Sequence, residues 1–272
     1  MLRAWQDVVG KWQIGPAGPD GEPSEGRRYF DRARSALVAG RLDEALEEFE
    51  RAATVREDPH DQVGIGDVHL ARGRWRLAAG CYRRALAADA ANQLARLGWS
   101  QLLVAEGRAA EAIPELERMV ADRPDDPVLR YYLASTWCSV AEQCRSQTAE
   151  ETLVITSAHQ LATCERAARR ILELDVDDDE LVRGALRLRA EVAAGRRWGW
   201  APEGVALSLT VLVISLGLTT VVAGGALDSV GLVIAGVLTG AILLGLVVLR
   251  FRRQAWQLRA EAIARSIVKP GI

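Results

Sequence analysis

The apolar positions of the first half of the chain recur at helical spacing, and the helical segments recur in pairs. Gly40, Gly73 and Gly107 lie 33 and 34 residues apart. Five residues after each comes a small residue, Ala45, Ala78 and Ala112. Four further on stands a bulky one, Phe49, Tyr82 and Leu116. Three beyond that lies Ala52, Ala85 or Met119. Each set marks one apolar face of a helix. Each glycine marks the left-handed stop of the helix before it, a conformation that a Cβ opposes. A fixed period in this range predicts stacked helical pairs, a quasi-one-dimensional solenoid.

The small residue, the glycine, the second alanine, the aromatic and the closing alanine resemble the tetratricopeptide repeat family. The resemblance covers roughly residues 26 to 175. It implies a fold with a binding surface and says little about the ligand. Repeat one is expected from about Arg27 to Asp58, repeat two to about Asn92 and repeat three to about Asp126. Pro59 and Pro124 fall between repeats, where helix must stop. Pro114 is expected in the first turn of its helix, where a missing N–H costs little.

Repeat four departs from the pattern. Its first helix starts near Pro127, is expected to bury Leu133, Ala134 and Trp137, and meets no glycine, so it is expected to run to about Arg145. Thr148 and Glu151 read as a capping box opening a helix to about Leu174. Asp177 to Glu180 reads as another capped start. Adjacent carboxylates before a helix serve as caps and dipole partners more readily than as metal ligands. The helix that comes next ends at Gly195 and is expected to cover the open end of the stack.

The pattern then changes. Gly204 to Leu227 has no charged residue over 24 positions, and Val230 to Leu249 has none over 20. At 1.5 Å per residue each run is about 30 Å or more, enough to cross a hydrocarbon core. Only Asp228 and Ser229 separate them, which predicts a tight antiparallel hairpin. Arg196 and Arg197 precede the first span, and Arg250, Arg252 and Arg253 follow the second. That distribution predicts a multi-pass protein of the cell (inner) membrane with both termini cytoplasmic. Gly236, Gly240 and Gly245 are expected to form the helix contact, within the hairpin first of all. From Arg250 onward a basic tail, with Phe251, Ala255, Leu258, Ala262 and Ile267 near one helical face, is expected to meet anionic lipid.

Residues 1–14 space Leu2, Trp5, Val8, Val9 and Trp12 like a short amphipathic helix. It lacks the continuous apolar core of a secretory signal. It reads either as a docking peptide, on the solenoid or on a membrane, or as a frayed tail. Gly15 to Gly26 holds three prolines and four glycines and reads as a flexible linker. The expected plan is therefore a tail and linker over 1–26, a solenoid over 27–195, a transmembrane hairpin over 204–249 (spans 204–227 and 230–249) and a basic tail over 250–272. The fold class is all-α: about four helical pairs plus a capping helix, then a two-helix transmembrane hairpin.

Composition narrows function. The chain is 49% hydrophobic but only 6% aromatic, which fits Ala-, Leu- and Val-rich helices. After Trp200 there are six Lys and Arg against three Asp and Glu; subtraction from the totals of 34 and 36 leaves 28 against 33 before it. An acidic repeat region offers no footprint for nucleic acid. The abundance of Ala, Arg and Gly points to a bacterium with GC-rich coding. Cys81, Cys138, Cys144 and Cys164 form no CxxC pair and read as small packing residues. No phosphate-binding, zinc-protease or nucleophile-elbow motif occurs, so neither an enzyme nor a cofactor is expected.

What remains is recognition. In proteins of the resembled family, first-helix side chains line a concave groove. The register assigns to it Phe30 and Arg34, then Val63, Asp67 and Leu70, then Leu97, Gln101 and Val104, then Tyr131, Ser135 and Cys138. Such a groove takes a helix or an extended peptide. The positions by which some members grip a C-terminal carboxylate hold Phe30, Arg34, Gly64, Leu94 and Gly98 here. One base among five does not suit that mode. The expected function is a membrane-anchored scaffold that binds a partner protein or peptide at the cytoplasmic face. The alternative is an assembly subunit of a larger membrane complex, with the hairpin as its main interface.

Overall fold

The computed structural model describes residues 8–14, 24–200 and 203–271. It resolves into two compact units. One comprises residues up to Cys144 with Thr163–Arg189, and the other Arg145–Ala162 with residues from Ala190 onward.

In the first unit, helices α1 (Glu25–Val38), α2 (Leu42–Val55), α3 (Pro59–Ala71), α4 (Trp75–Ala88), α5 (Gln93–Ala105) and α6 (Ala109–Asp122) form three antiparallel pairs, followed by α7 (Pro127–Cys144). Gly40, Gly73 and Gly107 adopt φ of +78°, +69° and +80°. After each, an arginine N–H reaches back five residues: Arg41 to Ala36 O at 2.9 Å, Arg74 to His69 O and Arg108 to Leu103 O at 2.8 Å. This is the Schellman arrangement, which uses carbonyls that the helix end would leave orphaned.

A second period stands beside the glycines. Ser24 accepts from Arg27 N, Asp58 from His60 N, Asn92 from Ala95 N, and Asp126 from Val128 N and Leu129 N. These caps recur at one repeat's spacing and fix where each first helix begins. The second helix of each pair has no side-chain cap and starts directly from the tight turn. Ala45, Ala78 and Ala112 are buried where paired helices approach, and Phe49, Tyr82 and Leu116 fill the space between repeats. Glycines make room for the rings: a Cβ at Gly64 would lie 2.4 Å from the Phe49 ring, and one at Gly66 2.7 Å from that of Tyr82. Pro59 is the first residue of α3, and Pro114 lies in the second turn of α6 on an exposed side, because α6 opens as early as Ala109.

α7 runs 18 residues and ends one residue short of Arg145. The expected cap at Thr148 is instead a turn. Strands β1 (Ser146–Thr148) and β2 (Leu153–Val154) pair around it, Glu151 takes φ +60°, and Thr148 Oγ1 accepts from Thr152 N at 3.3 Å. The next helix, α8 (Ala158–Glu173), opens at Ser157, whose Oγ accepts from Gln160 N at 3.1 Å, while Gln160 Oε1 accepts from Thr156 N at 2.7 Å. Asp178 then caps α9 (Asp179–Gly195) by accepting from Glu180 N and Leu181 N, both at 2.9 Å.

In the second unit, β3 (Trp198–Trp200) leads into the apolar helices α10 (Glu203–Ala226) and α11 (Val230–Phe251). β4 (Arg252–Gln254) returns beside β3, with Trp198 opposite Gln254 and Trp200 opposite Arg252. Arg252 stacks its guanidinium 5.3 Å from the Trp198 ring centre. The tail is not one continuous helix. Extended backbone at β4 breaks it before α12 (Ala255–Ile263), and β5 (Ile267–Lys269) pairs antiparallel with β1, which also pairs with β2.

Candidate functional site: the groove and its occupant

Tail residues 8–14 are ordered against the first unit. Residues 8–10 are helical and continue as a 3-10 turn, Lys11–Ile14. Val8 and Trp12 are buried, and Lys11 is fully buried. The contacts follow the first helices in reverse order. Gly10 lies against Tyr132 of α7, where an added Cβ would come within 3.1 Å of the hydroxyl. Lys11 reaches Gln101 of α5 and Asp67 of α3, and Trp12 packs on Phe30 of α1.

Asp67 is the centre of this site. Its Oδ1 accepts from Lys11 Nζ at 2.5 Å and from the Tyr82 hydroxyl at 2.6 Å, and its Oδ2 accepts from Trp12 Nε1 at 2.8 Å. Lys11 Nζ also donates to Gln101 Oε1 at 3.2 Å and lies 5.3 Å from the centre of the Tyr82 ring. Both charged side chains are fully shielded from water. Burial pushes the Lys11 ammonium below its ordinary value and the Asp67 carboxyl above its own, each against the pull of the other. Burial and the neighbouring carboxylate push the Tyr82 phenol well up, so it stays a donor.

The indole sits in an aromatic corner. Trp12 meets Phe30 edge-on at 5.8 Å between ring centres and stacks on Phe49 at 6.1 Å, while Phe30 and Phe49 meet edge-on at 5.7 Å. Arg56 closes the outside over Phe30 at 4.8 Å, with its own guanidinium held by Asp61 at 2.6 and 3.0 Å.

Of the residues assigned to a groove, Phe30, Asp67 and Gln101 meet at this occupied site. Val63, Leu70 and Leu97 are buried in the stack. Arg34, Val104, Tyr131, Ser135 and Cys138 are half-buried. Lys11, Trp12 and Tyr82 belong to the site, although the repeat register does not assign them to it. One signal was available: the chain has two lysines, Lys11 and Lys269, and writes every other cation as Arg.

In the hairpin, Gly217 and Gly240 face each other, a Cβ on either coming within 3.8 Å of the other's Cα. A Cβ on Gly236 would lie 3.1 Å from Thr220, whereas Gly245 has no heavy atom within 4 Å of that position. Both helices are long and apolar enough to cross a membrane, and little of either is covered. Elsewhere none of the four cysteines is joined in a disulfide among the described residues, and Cys144 Sγ and Cys164 Sγ lie 3.7 Å apart. Among the described residues no group of three or more His, Cys, Asp or Glu is placed to hold a metal ion.

Paired helices with Schellman turns, periodic caps and interlocking rings define a helical-repeat solenoid, a class built for protein–protein contact. The tetratricopeptide repeat family model matches residues 2–61 and 63–127, and this part of the chain is a tetratricopeptide repeat region. Among solved structures, one described as "MamA RS-1 ArsTM double mutant" is 18% identical, covering 64% of this chain and 95% of that one at a TM-score of 0.43. A TPR repeats protein from Bacteroides fragilis NCTC 9343 is 14% identical, covering 89% and 96% at a TM-score of 0.36. Both scores lie below 0.5, and the assignment to the repeat family rests on the family model. No curated protein matches the chain.

Proposed function

We propose that this protein is a membrane-anchored scaffold. Its repeat domain binds a partner protein or peptide in the groove at the cytoplasmic face of the membrane, and its hairpin holds it there. The observation that carries the reading is the joining of a repeat region to two helices that are charge-free over 204–226 and 230–249 and whose large side chains lie bare. Leu207, Leu212, Leu218, Val222, Ile242 and Leu249 are all exposed. A water-soluble protein does not leave so continuous an apolar surface uncovered.

Arginines support the orientation. Arg196 and Arg197 lie before β3, and Arg252 and Arg253 lie in β4, so the base of the hairpin is cationic and the Asp228 turn is not. The small-residue face of the hairpin is used between α10 and α11, which favours a self-contained anchor over an interface with another subunit. The reading makes the chain a binding protein, not an enzyme.

The test is fractionation followed by capture. Lysis without detergent should leave the full chain in the membrane pellet, and tags at both ends should be protected from outside the cell. The detergent-extracted chain should then enrich a partner that Arg34→Glu or Tyr131→Ala weakens. Recovery in the supernatant would end the anchoring claim, and capture indifferent to groove substitutions would end the groove claim.

A further inference from the structure

We infer that Val8–Trp12 is a built-in ligand of the groove. The site centred on Asp67 recognises a cation followed by an aromatic ring, and a partner gains the groove by presenting that same pair and displacing the tail. The inference rests on the scaffold reading for the partner's existence, but not for the site itself.

The chemistry at the contact is that of recognition. A segment kept only for packing would bury an apolar face. This one, besides Val8 and Trp12, buries the Lys11 ammonium group against the Asp67 carboxylate, with an indole N–H and a phenol completing the carboxylate. Desolvating two ions costs nearly as much as their attraction returns, so such pairs add little to stability, whereas a mismatched partner leaves one of them unpaired. Asp67 thereby selects strongly for a donor group and weakly for anything else. The aromatic corner of Phe30 and Phe49 supplies apolar area for the neighbouring ring. The run from Tyr132 to Phe30 crosses successive repeats, as a short helical peptide seated along a groove does.

The tether makes exchange possible. The segment is joined to α1 by residues 15–23, with three prolines and three glycines. A ligand tethered through so few residues sits at an effective concentration of about a millimolar. A free competitor therefore meets a closed groove unless it binds tightly or the tail is drawn away.

The probe is a fluorescein-labelled peptide of this chain's residues 1–14, followed by anisotropy against the full-length protein in detergent micelles. Three proteins are compared: the intact chain, the chain without residues 1–14, and the full-length Lys11→Glu/Trp12→Ala variant. The last keeps the tail and guards against a deletion that fails to fold. Both altered chains should bind the probe, the intact chain about 100-fold more weakly, and a probe carrying Lys11→Glu should lose binding to all three. A folded Lys11→Glu/Trp12→Ala chain that takes up no probe overturns the inference, as does an intact chain that binds as well as the altered ones. The probe taken up as a swapped dimer of intact chains would overturn the cis arrangement. A partner captured equally by intact and opened chains would also sink this inference while leaving the scaffold standing. A chain that exchanges the probe but does not sediment with membranes would do the reverse.

Discussion

Replacing Lys11 by Met removes one charge from a fully buried pair while keeping most of the side-chain volume. Asp67 then loses its cation and keeps Tyr82 as a donor, with Trp12 donating only while the tail stays docked. Breaking a buried pair from one side typically costs about 3–5 kcal/mol, because the remaining charge is left desolvated or the segment that covers it must come away. At about 2–4 °C per kcal/mol for a unit of this size, melting of the full chain in micelles should fall by about 6–20 °C. The carboxylate has one escape. Burial already holds the Asp67 pKa above 3.8, and Lys11 is the largest influence opposing that rise. Without Lys11 the pKa climbs further, so the folded state holds a proton that the unfolded chain has lost. The penalty is complete at pH well above the raised value and fades as pH falls through it. Lys11→Met/Asp67→Asn should cost far less than the sum of the two single changes, since no bare charge is left. Trp12 reports the local event: with 5-fluorotryptophan its 19F resonance, assigned through Trp12→Phe, should move to a solvent-exposed position in Lys11→Met. An unchanged melting temperature with an unmoved Trp12 resonance would refute the reasoning, as would a double variant no better than the singles.

Three further outcomes come from the geometry. Gly98→Ala places a Cβ 2.5 Å from Tyr82 Cε1 and 2.9 Å from Lys11 Nζ, so overpacking of about 1–3 kcal/mol should outweigh the helix gain of about 0.5–1; Gly184→Ala, with no atom within 4 Å, should show only the gain in a thermal melt. The Asp58 carboxyl is held at about 2, chiefly by its hydrogen bond from His60, against an ordinary 3.8. Its stabilisation is therefore complete above 3.8 and lost as pH falls through 2, and is worth about 1 kcal/mol once solvent screening is allowed for. Asp58→Ala should flatten the acid limb of the stability curve in that window and remove a helix cap at every pH, as urea titrations from pH 5 to about 2 would reveal. In the hairpin, Gly236→Leu must force α10 and α11 apart at Thr220 and lower the temperature at which the detergent-solubilised chain aggregates, whereas Gly245→Leu should leave it unchanged.

The repeat pattern was legible because its signals are local. A glycine forced to positive φ and a bulky residue four after a small one can be read without knowing what they touch. Gly40, Gly73 and Gly107 all take that conformation. The caps at Ser24, Asp58, Asn92 and Asp126 were equally local and mark the repeats almost as well. Elements built on distant partners left no such trace. β1 is three residues long and is a strand only because β2 and β5 pair with it, the latter from the far end of the chain. Its Thr148 and Glu151 therefore satisfied a capping pattern that the backbone does not use. The break at Arg252 has the same origin, since β4 is extended through its pairing with β3. The register assigned Asp67 to the groove from the face it occupies. That a lysine 56 residues earlier meets it there is a tertiary fact with no periodic signature.

That the cation is lysine needs a physical reason, because the chain has only one other, Lys269. The niche is narrow. The ammonium sits between Asp67 Oδ1, Gln101 Oε1 and the Tyr82 ring, and the backbone of Gly98 is so near that a Cβ there would lie 2.9 Å from Nζ. An ammonium is a compact point donor, whereas a guanidinium is a flat fork with five donors. In this space the fork would meet Gly98 and the Tyr82 ring, and several of its N–H groups would find no acceptor. Lys11→Arg should therefore release the tail nearly as far as Lys11→Met does, despite keeping the charge, and the Trp12 fluorine signal should shift alike in both. The partner that opens the groove would then carry Lys before its aromatic residue, in preference to Arg. If Lys11→Arg instead leaves Trp12 buried and the melt unchanged, the site reads charge alone and an Arg–Trp pair would open it equally well.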